Sequence, residues 1–208
     1  MTNLCHHLRH SLPLALLTLA IGSPAQAAQP QAIDITFKAK VIEATCNVTI
    51  NGSDATAIIT LGSEGNATLD EIVQYMDGDF NSATMTRFTL GAKDCPESIA
   101  SVQTTLGGVI PGTSNTILIP TTADASAGNT AGGVGVRISR ANTKDYLRVF
   151  GEKGSSSATD DESIKWTPGE LSDGQVQLDA RLVTMRGDMS NTEVGHLQVT
   201  ATFNFNYE

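Results

Sequence analysis

Apolar and polar residues alternate with a period of two at both ends of this chain and at intervals between. From His196 to Glu208 (HLQVTATFNFNYE) the alternation is unbroken. Leu197, Val199, Ala201, Phe203, Phe205 and Tyr207 share one side, and His196, Gln198, Thr200, Thr202, Asn204 and Asn206 share the other. A period of two carried by branched and aromatic residues predicts a β-strand with one apolar and one wet face. Residues 28–41 repeat the pattern, with Ile33, Ile35, Phe37, Ala39 and Val41 set against Asp34, Thr36, Lys38 and Lys40. Strands are predicted over 35–50, 55–61, 84–90, 99–106, 115–119, 133–140, 145–150, 175–186 and 196–207. Turn signals separate them at Asn51-Gly52, Gly107-Gly108, Pro111-Gly112, Pro168-Gly169 and Asp173-Gly174. Only 68–76 offers a helical turn or two. Thr121–Gly133 and Gly151–Ser163 read as surface loops, and no internal repeat is present. Many short strands at this spacing predict an all-β antiparallel sandwich.

The last predicted strand raises a question of pairing, because no later segment of the sequence offers a partner for its second edge. A long apolar edge is an aggregation hazard that proteins cover in some way, and one way is strand addition from another molecule. The alternating segment at 28–41 is a natural candidate for the added strand. Burying Ile33, Ile35, Phe37 and Val41 would contribute on the order of 6–12 kcal/mol gross. Ordering the donor backbone offsets about 1–2 kcal/mol per residue of that gain.

Residues 1–27 are expected to form a secretory signal. Arg9 and three histidines precede an apolar stretch from Leu12 to Ile21, and Ala25-Gln26-Ala27 is a small-x-small cleavage site. The stretch falls short of the roughly 20 apolar residues of a membrane span. Without it, Lys+Arg falls from 13 to 12 against 22 Asp+Glu, a balance that disfavours nucleic acid and anionic lipid as partners. Of three cysteines, Cys5 leaves with the signal. Cys46 and Cys95 remain in an exported chain and are expected to pair, closing a loop worth about 4 kcal/mol in the chain-entropy picture. His196 is then the only histidine, so zinc binding and Cys–His catalysis have no support.

Several marks together resemble a known family. Ile35–Val48 (ITFKAKVIEATCNV) is similar to the opening of a chaperone-usher pilin, where an apolar strand leads into the first disulfide cysteine. Phe88-Thr89-Leu90 ahead of Asp94-Cys95 resembles the segment at the second cysteine, and Leu178-Asp179-Ala180-Arg181 resembles the Phe-x-Ala-Arg strand. Gly195 and Tyr207 stand where pilins carry a glycine and a penultimate tyrosine. The resemblance implies an incomplete immunoglobulin-like β-sandwich completed by donor-strand exchange, with 28–41 the donor extension and 42–208 the pilin domain. The donor residues would be Ile33, Ile35, Phe37, Ala39 and Val41. The acceptor groove and chaperone-binding strand would be Gly195, Leu197, Val199, Ala201, Phe203, Phe205, Tyr207 and Glu208. Implied partners are a periplasmic pilus chaperone, whose basic residues would hold the Glu208 carboxylate, an outer-membrane usher, and other pilus subunits in a homo- or hetero-polymer at the cell surface. Ala39 replaces the glycine that pilins usually place two residues after the donor phenylalanine. Its extra methyl is either accommodated by the receiving pocket or restricts which subunit accepts this donor.

Competing chemistry is sparse. Arg186-Gly187-Asp188 is an integrin-type tripeptide built from ordinary turn residues. Asp77-Gly78-Asp79 and Asp160-Asp161-Glu162 lack the spacing of a calcium loop. Trp166 is either a carbohydrate platform or a packing residue. No Gly-x-Ser-x-Gly elbow, second mature histidine or metal-spaced cluster argues for an enzyme, and no cofactor is implied. The reading is a non-enzymatic structural subunit of a fimbria that supports adhesion. The alternative is a single-domain adhesin contacting a host receptor through 121–133, 151–163, Trp166 and Arg186–Asp188. An exported immunoglobulin-like enzyme inhibitor is a distant third.

Overall fold

Residues 45–53, 56–150 and 162–208 are described by the computed structural model. The expected signal (1–27) and donor extension (28–41, with Ile33, Ile35, Phe37, Ala39 and Val41) lie outside those residues, as does most of the 151–163 loop. Two antiparallel sheets face one another. One has the order β1 (Asn47–Ile50), β2 (Met85–Lys93), β6 (Gln175–Thr184), β4 (Val134–Arg140), and the other the order β5 (Ser163–Lys165), β3 (Val102–Gly107), β7 (Thr202–Tyr207). Their inner rows form one core that includes Phe88, Leu90, Leu178 and Val176 from the first sheet and Val102, Leu106 and Ile164 from the second. This is the expected all-β, immunoglobulin-like sandwich.

Register explains why β6 is buried on both faces. Its pairing sets Phe88 against Leu178 and Leu90 against Val176 on the core side, and Arg87 against Asp179 and Met85 against Arg181 on the outer side. The outer row is covered by the turn that follows α1 (Leu69–Tyr75), which Arg181 Nη1 fastens by donating to the carbonyls of Tyr75 (2.9 Å), Met76 (3.1 Å) and Gly78 (2.7 Å). A guanidinium on the orphan carbonyls at a helix C-terminus satisfies both hydrogen bonding and the helix dipole. The Ala-Arg pair of the resemblance is therefore a structural brace. The expected Cys46–Cys95 disulfide is present, joining the residue before β1 to a residue just after β2.

Asn51 and Gly52 both have positive φ (52° and 75°), and Ile50 and Ser53 exchange both backbone hydrogen bonds around them, the tight turn expected from the Asn-Gly pair. Other expectations are corrected. Residues 56–61 form no strand. Ile58 is 95% exposed, and among the described residues no strand pairs with this segment, so its β-propensity makes no ladder. The 115–119 and 145–150 segments make isolated bridges only: Leu118 to Val136, Ile119 to Val109, Tyr146 to Ser139 and Val149 to Leu106. These crossings close one side of the sandwich. Two further short helices, α2 (Thr122–Ser126) and α3 (Pro168–Asp173), replace a predicted loop and a predicted turn. Thr68, Thr121 and Thr167 each cap their helix in a reciprocal box with Glu71, Asp124 and Glu170. The last strand is shorter than predicted, and this shortening shapes the site.

Candidate functional site: an open strand edge

On the side opposite the crossings, β1 and β7 are the outer strands of their sheets among the described residues. β7 pairs with β3 from Val102↔Tyr207 to Gly107↔Thr202. Glu208 and Ser101 exchange backbone hydrogen bonds (3.1 and 2.8 Å), which fixes the phase of the ladder. In an antiparallel pair only alternate residues bond to the partner, so Thr202, Asn204, Asn206 and Glu208 turn their N–H and C=O toward β3. Phe203, Phe205 and Tyr207 turn theirs the other way.

β3 ends at Gly107, and the chain veers off through Val109 and the 111–114 turn. Residues 196–200 nevertheless continue the same phase. Side chains from the 121–131 segment stand in for the missing β3 backbone. Thr200 N–H donates to Asp124 Oδ2 (3.1 Å), Gln198 N–H donates to Asn129 Oδ1 (2.6 Å), and His196 N–H donates to Thr130 Oγ1 (2.8 Å). In return Asn129 Nδ2 donates to the Gln198 carbonyl (3.0 Å), and the Thr130 and Ala131 N–H groups donate to that of His196 (2.9 and 3.1 Å). The predicted strand 196–207 is thus a backbone ladder over 202–207 and a side-chain ladder over 196–200. Burial keeps the period of two throughout: Leu197, Val199, Ala201, Phe203, Phe205 and Tyr207 are half-buried against the core, while the alternate residues are exposed.

Asp124 is the centre of the side-chain ladder. It is 2% exposed and also accepts the Thr121 N–H (2.8 Å), the Thr200 hydroxyl (2.6 Å) and Gln198 Nε2 (3.4 Å). Burial alone would raise its pKa, but the hydrogen bonds from Thr200 and Thr121 outweigh it and hold the carboxyl at about 2. Gly195 enters the stretch where no side chain fits: an added methyl would lie 2.6 Å from the Thr130 carbonyl carbon and 2.7 Å from Ala131 N. Burial pushes the Tyr207 phenol up.

The apolar face touches the core through two ring pairs. Phe203 lies 5.9 Å from Phe88, and Phe205 meets Trp166 edge-on at 6.2 Å. Trp166 is buried, with Nε1 donating to Thr104 Oγ1 at 3.0 Å, so it is a packing residue and no exposed platform. Glu208 is strapped to the 100–101 backbone, its carbonyl oxygen accepting from Ala100 (2.6 Å) and Ser101 (2.8 Å). Arg186, Gly187 and Asp188 are exposed after β6, and the Asp188 carboxylate closes its own turn by accepting from the Ser190 N–H and hydroxyl, which hold it below the usual carboxylate range. Asp77 faces Arg137 at 3.9 Å and Asp79 faces Lys144 at 3.4 Å. No metal-ligating group of side chains occurs among the described residues, and among them no helix is long and apolar enough to cross a membrane. Of the contacts expected for an adhesin, 121–131 and Trp166 have internal structural work, Asp188 has a local one, and 151–161 fall outside the described residues.

Sequence reasoning located the apolar row and missed Asp124, Asn129 and Thr130. The Thr121-x-x-Asp124 spacing was the available signal for the first, since it is that of a capping box; nothing local marks the other two.

The fold is an immunoglobulin-like sandwich in which the facing outer edges of β1 and β7 have no further strand among the described residues. The family model for fimbrial proteins (Fimbrial protein) matches residues 35–208, and the chain belongs to that family. Over 178 residues it is 28% identical to the uncharacterized fimbrial-like protein YadM of Escherichia coli (strain K12), covering 85% of this chain and 87% of YadM. It is also similar to the P pilus rod subunit PapA in its crystal structure, with a TM-score of 0.48 and 13% identity over 78% of this chain and 99% of PapA. Membership of the fimbrial family makes the chain a structural subunit of a pilus, a cell-surface appendage, and points to a non-enzymatic role.

Proposed function

We propose that this subunit polymerises by donor-strand exchange, lending residues 28–41 to one neighbour and receiving the equivalent strand of another against Leu197–Tyr207. Strand addition between pilin and chaperone is itself an established instance of such pairing. The observation that carries the reading is the row of Leu197, Val199, Ala201, Phe203, Phe205 and Tyr207. Their side chains are half-buried, and their N–H and C=O groups have no backbone partner among the described residues. An incoming strand with alternating apolar residues would satisfy both deficits at once: its backbone completes the sheet, and its side chains enter between β7 and β1.

Before assembly the same edge would be covered by a strand of a periplasmic chaperone, with the Glu208 carboxylate meeting basic chaperone residues, and exchange would take place at an outer-membrane usher. The signal at 1–27 sends the chain to that compartment, and 42–208 forms the receiving domain. The assembled fibre supports adhesion at the cell surface. The test is deletion of residues 28–36, with chaperone complexes and fibres assayed separately. Chaperone binding is expected to persist while growth beyond this subunit stops. Long fibres built from the deletion variant would refute the donor assignment.

A further inference from the structure

The receiving edge extends beyond the last regular strand because of three side chains outside it. We infer that Asp124, Asn129 and Thr130 are positioning residues that hold 196–200 in strand phase, so that the partner strand is recognised over 197–207 and not over 203–207 alone. The inference rests on the donor-strand reading and adds to it the length and register of the strand accepted.

The argument is geometric. A strand can accept a partner on one edge only if its other edge is held. β3 holds the far side of 202–207 through backbone pairing, then departs at Gly107. Past that point the N–H groups of His196, Gln198 and Thr200 would face water, and the segment would be free to turn its apolar residues away from the core. Thr130, Asn129 and Asp124 take those three donors in order, and the loop returns donors to two of the carbonyls. With the even-numbered row held, Leu197, Val199 and Ala201 present their backbone groups outward in line with Phe203, Phe205 and Tyr207. All six side chains pack on the same core cluster. Asp124 suits the role because every group it meets is a donor, and a carboxylate has acceptor sites for all of them. Gly195 keeps the entry tight, since any side chain there would push the segment off the Thr130–Ala131 backbone.

Residue-resolved amide exchange on the full exported chain assembled into fibres tests this. In the unmodified protein the even-numbered amides (196, 198, 200) and the odd-numbered amides (197, 199, 201, 203, 205, 207) are expected to be protected. In Asp124→Ala the odd amides at 197, 199 and 201 should exchange about thirtyfold faster or more, while 203, 205, 207 and β6 stay within about threefold, because the opening is local. Asn129→Ala removes both Gln198 bonds from a partly exposed site and should show the same split more weakly. If Asp124→Ala instead loses protection throughout β2 and β6, Asn129→Ala decides. Unchanged protection at 197, 199 and 201 in the variants, with the whole edge still slow, would overturn the inference alone. Odd-numbered amides that exchange freely along the entire edge of the unmodified assembly would refute strand addition itself and take this inference with it.

Discussion

The outer face of the first sheet carries an ion pair whose two halves are unequally buried, and this makes a directional prediction. Arg87 donates to Asp179 through Nε (2.7 Å) and Nη2 (3.0 Å), and the Asn142 N–H supplies a third bond to the same carboxylate (2.9 Å). The Asp179 side chain is 4% exposed and that of Arg87 33%. Removing one partner of a buried pair costs about 3–5 kcal/mol when the survivor is left uncompensated in the interior, and less when it can reach water. Arg87→Ala leaves a buried carboxylate with one backbone donor and only the more distant charge of Arg181, and should cost about 3 kcal/mol. Asp179→Ala leaves a guanidinium that reaches solvent, keeps Asn142 Oδ1 (2.8 Å) and stays over the Phe80 ring, so about 1.5–2.5 kcal/mol is expected. The double variant should reveal a coupling of about 1.5–3 kcal/mol in urea unfolding.

Acidity adds a second readout. Burial would raise the Asp179 pKa, but Arg87 and Asn142 hold it below the usual carboxylate range. The stability it contributes is therefore complete above the unfolded value of about 3.9 and is lost as pH falls through the folded one. In Arg87→Ala the carboxyl has lost that support, so the deficit relative to wild type should shrink on acidification. An equal or larger loss in Asp179→Ala, or a coupling under about 0.5 kcal/mol, would refute the reasoning.

Two further outcomes follow from the same geometry. Replacing Cys46 and Cys95 with serine, or reducing them, opens a loop with a sequence separation of 49 and should lower unfolding free energy by about 4 kcal/mol in the chain-entropy picture; unfolding in denaturant with and without reductant measures it. Asp124, at about 2 against an ordinary value of 3.8, contributes on the order of 2–3 kcal/mol that is present above about pH 4 and lost as pH falls through about 2. Protection of the Thr200 amide, relative to its intrinsic exchange rate at each pH, should therefore fall over that interval before that of β6 does.

The parts of the fold legible in the sequence are those in which a residue's environment is set by its near neighbours along the chain. Alternation marked the apolar row of 197–207, the Asn51-Gly52 turn announced itself, and two remaining cysteines had only each other. The length of a strand is a different kind of property, fixed by where its partner stops. His196–Ala201 alternate as well as Thr202–Tyr207 do, but β3 turns away at Gly107 and the pairing backbone goes with it. The β-prone residues 56–61 failed for the same reason. α2 and α3, at 5 and 6 residues, are too short to show a helical period, although their Thr-x-x-Asp and Thr-x-x-Glu boxes are visible. Buried charge was hidden altogether. Asp124 meets Thr200 and Asp179 meets Arg87 across 76 and 92 positions; the Thr121-x-x-Asp124 box marks a helix cap without marking its burial, and nothing local marks Asp179 as paired.

The chain has a single tryptophan, and Trp166 sits in the core with its indole edge against a ring of the edge strand. Its near-ultraviolet signal and emission therefore originate beside the place where a neighbour would seat, with no second indole to blur them. The molecule thus carries its own optical reporter beside the edge strand, and the proposed arrival of a neighbour's strand would be followed in real time on unlabelled protein.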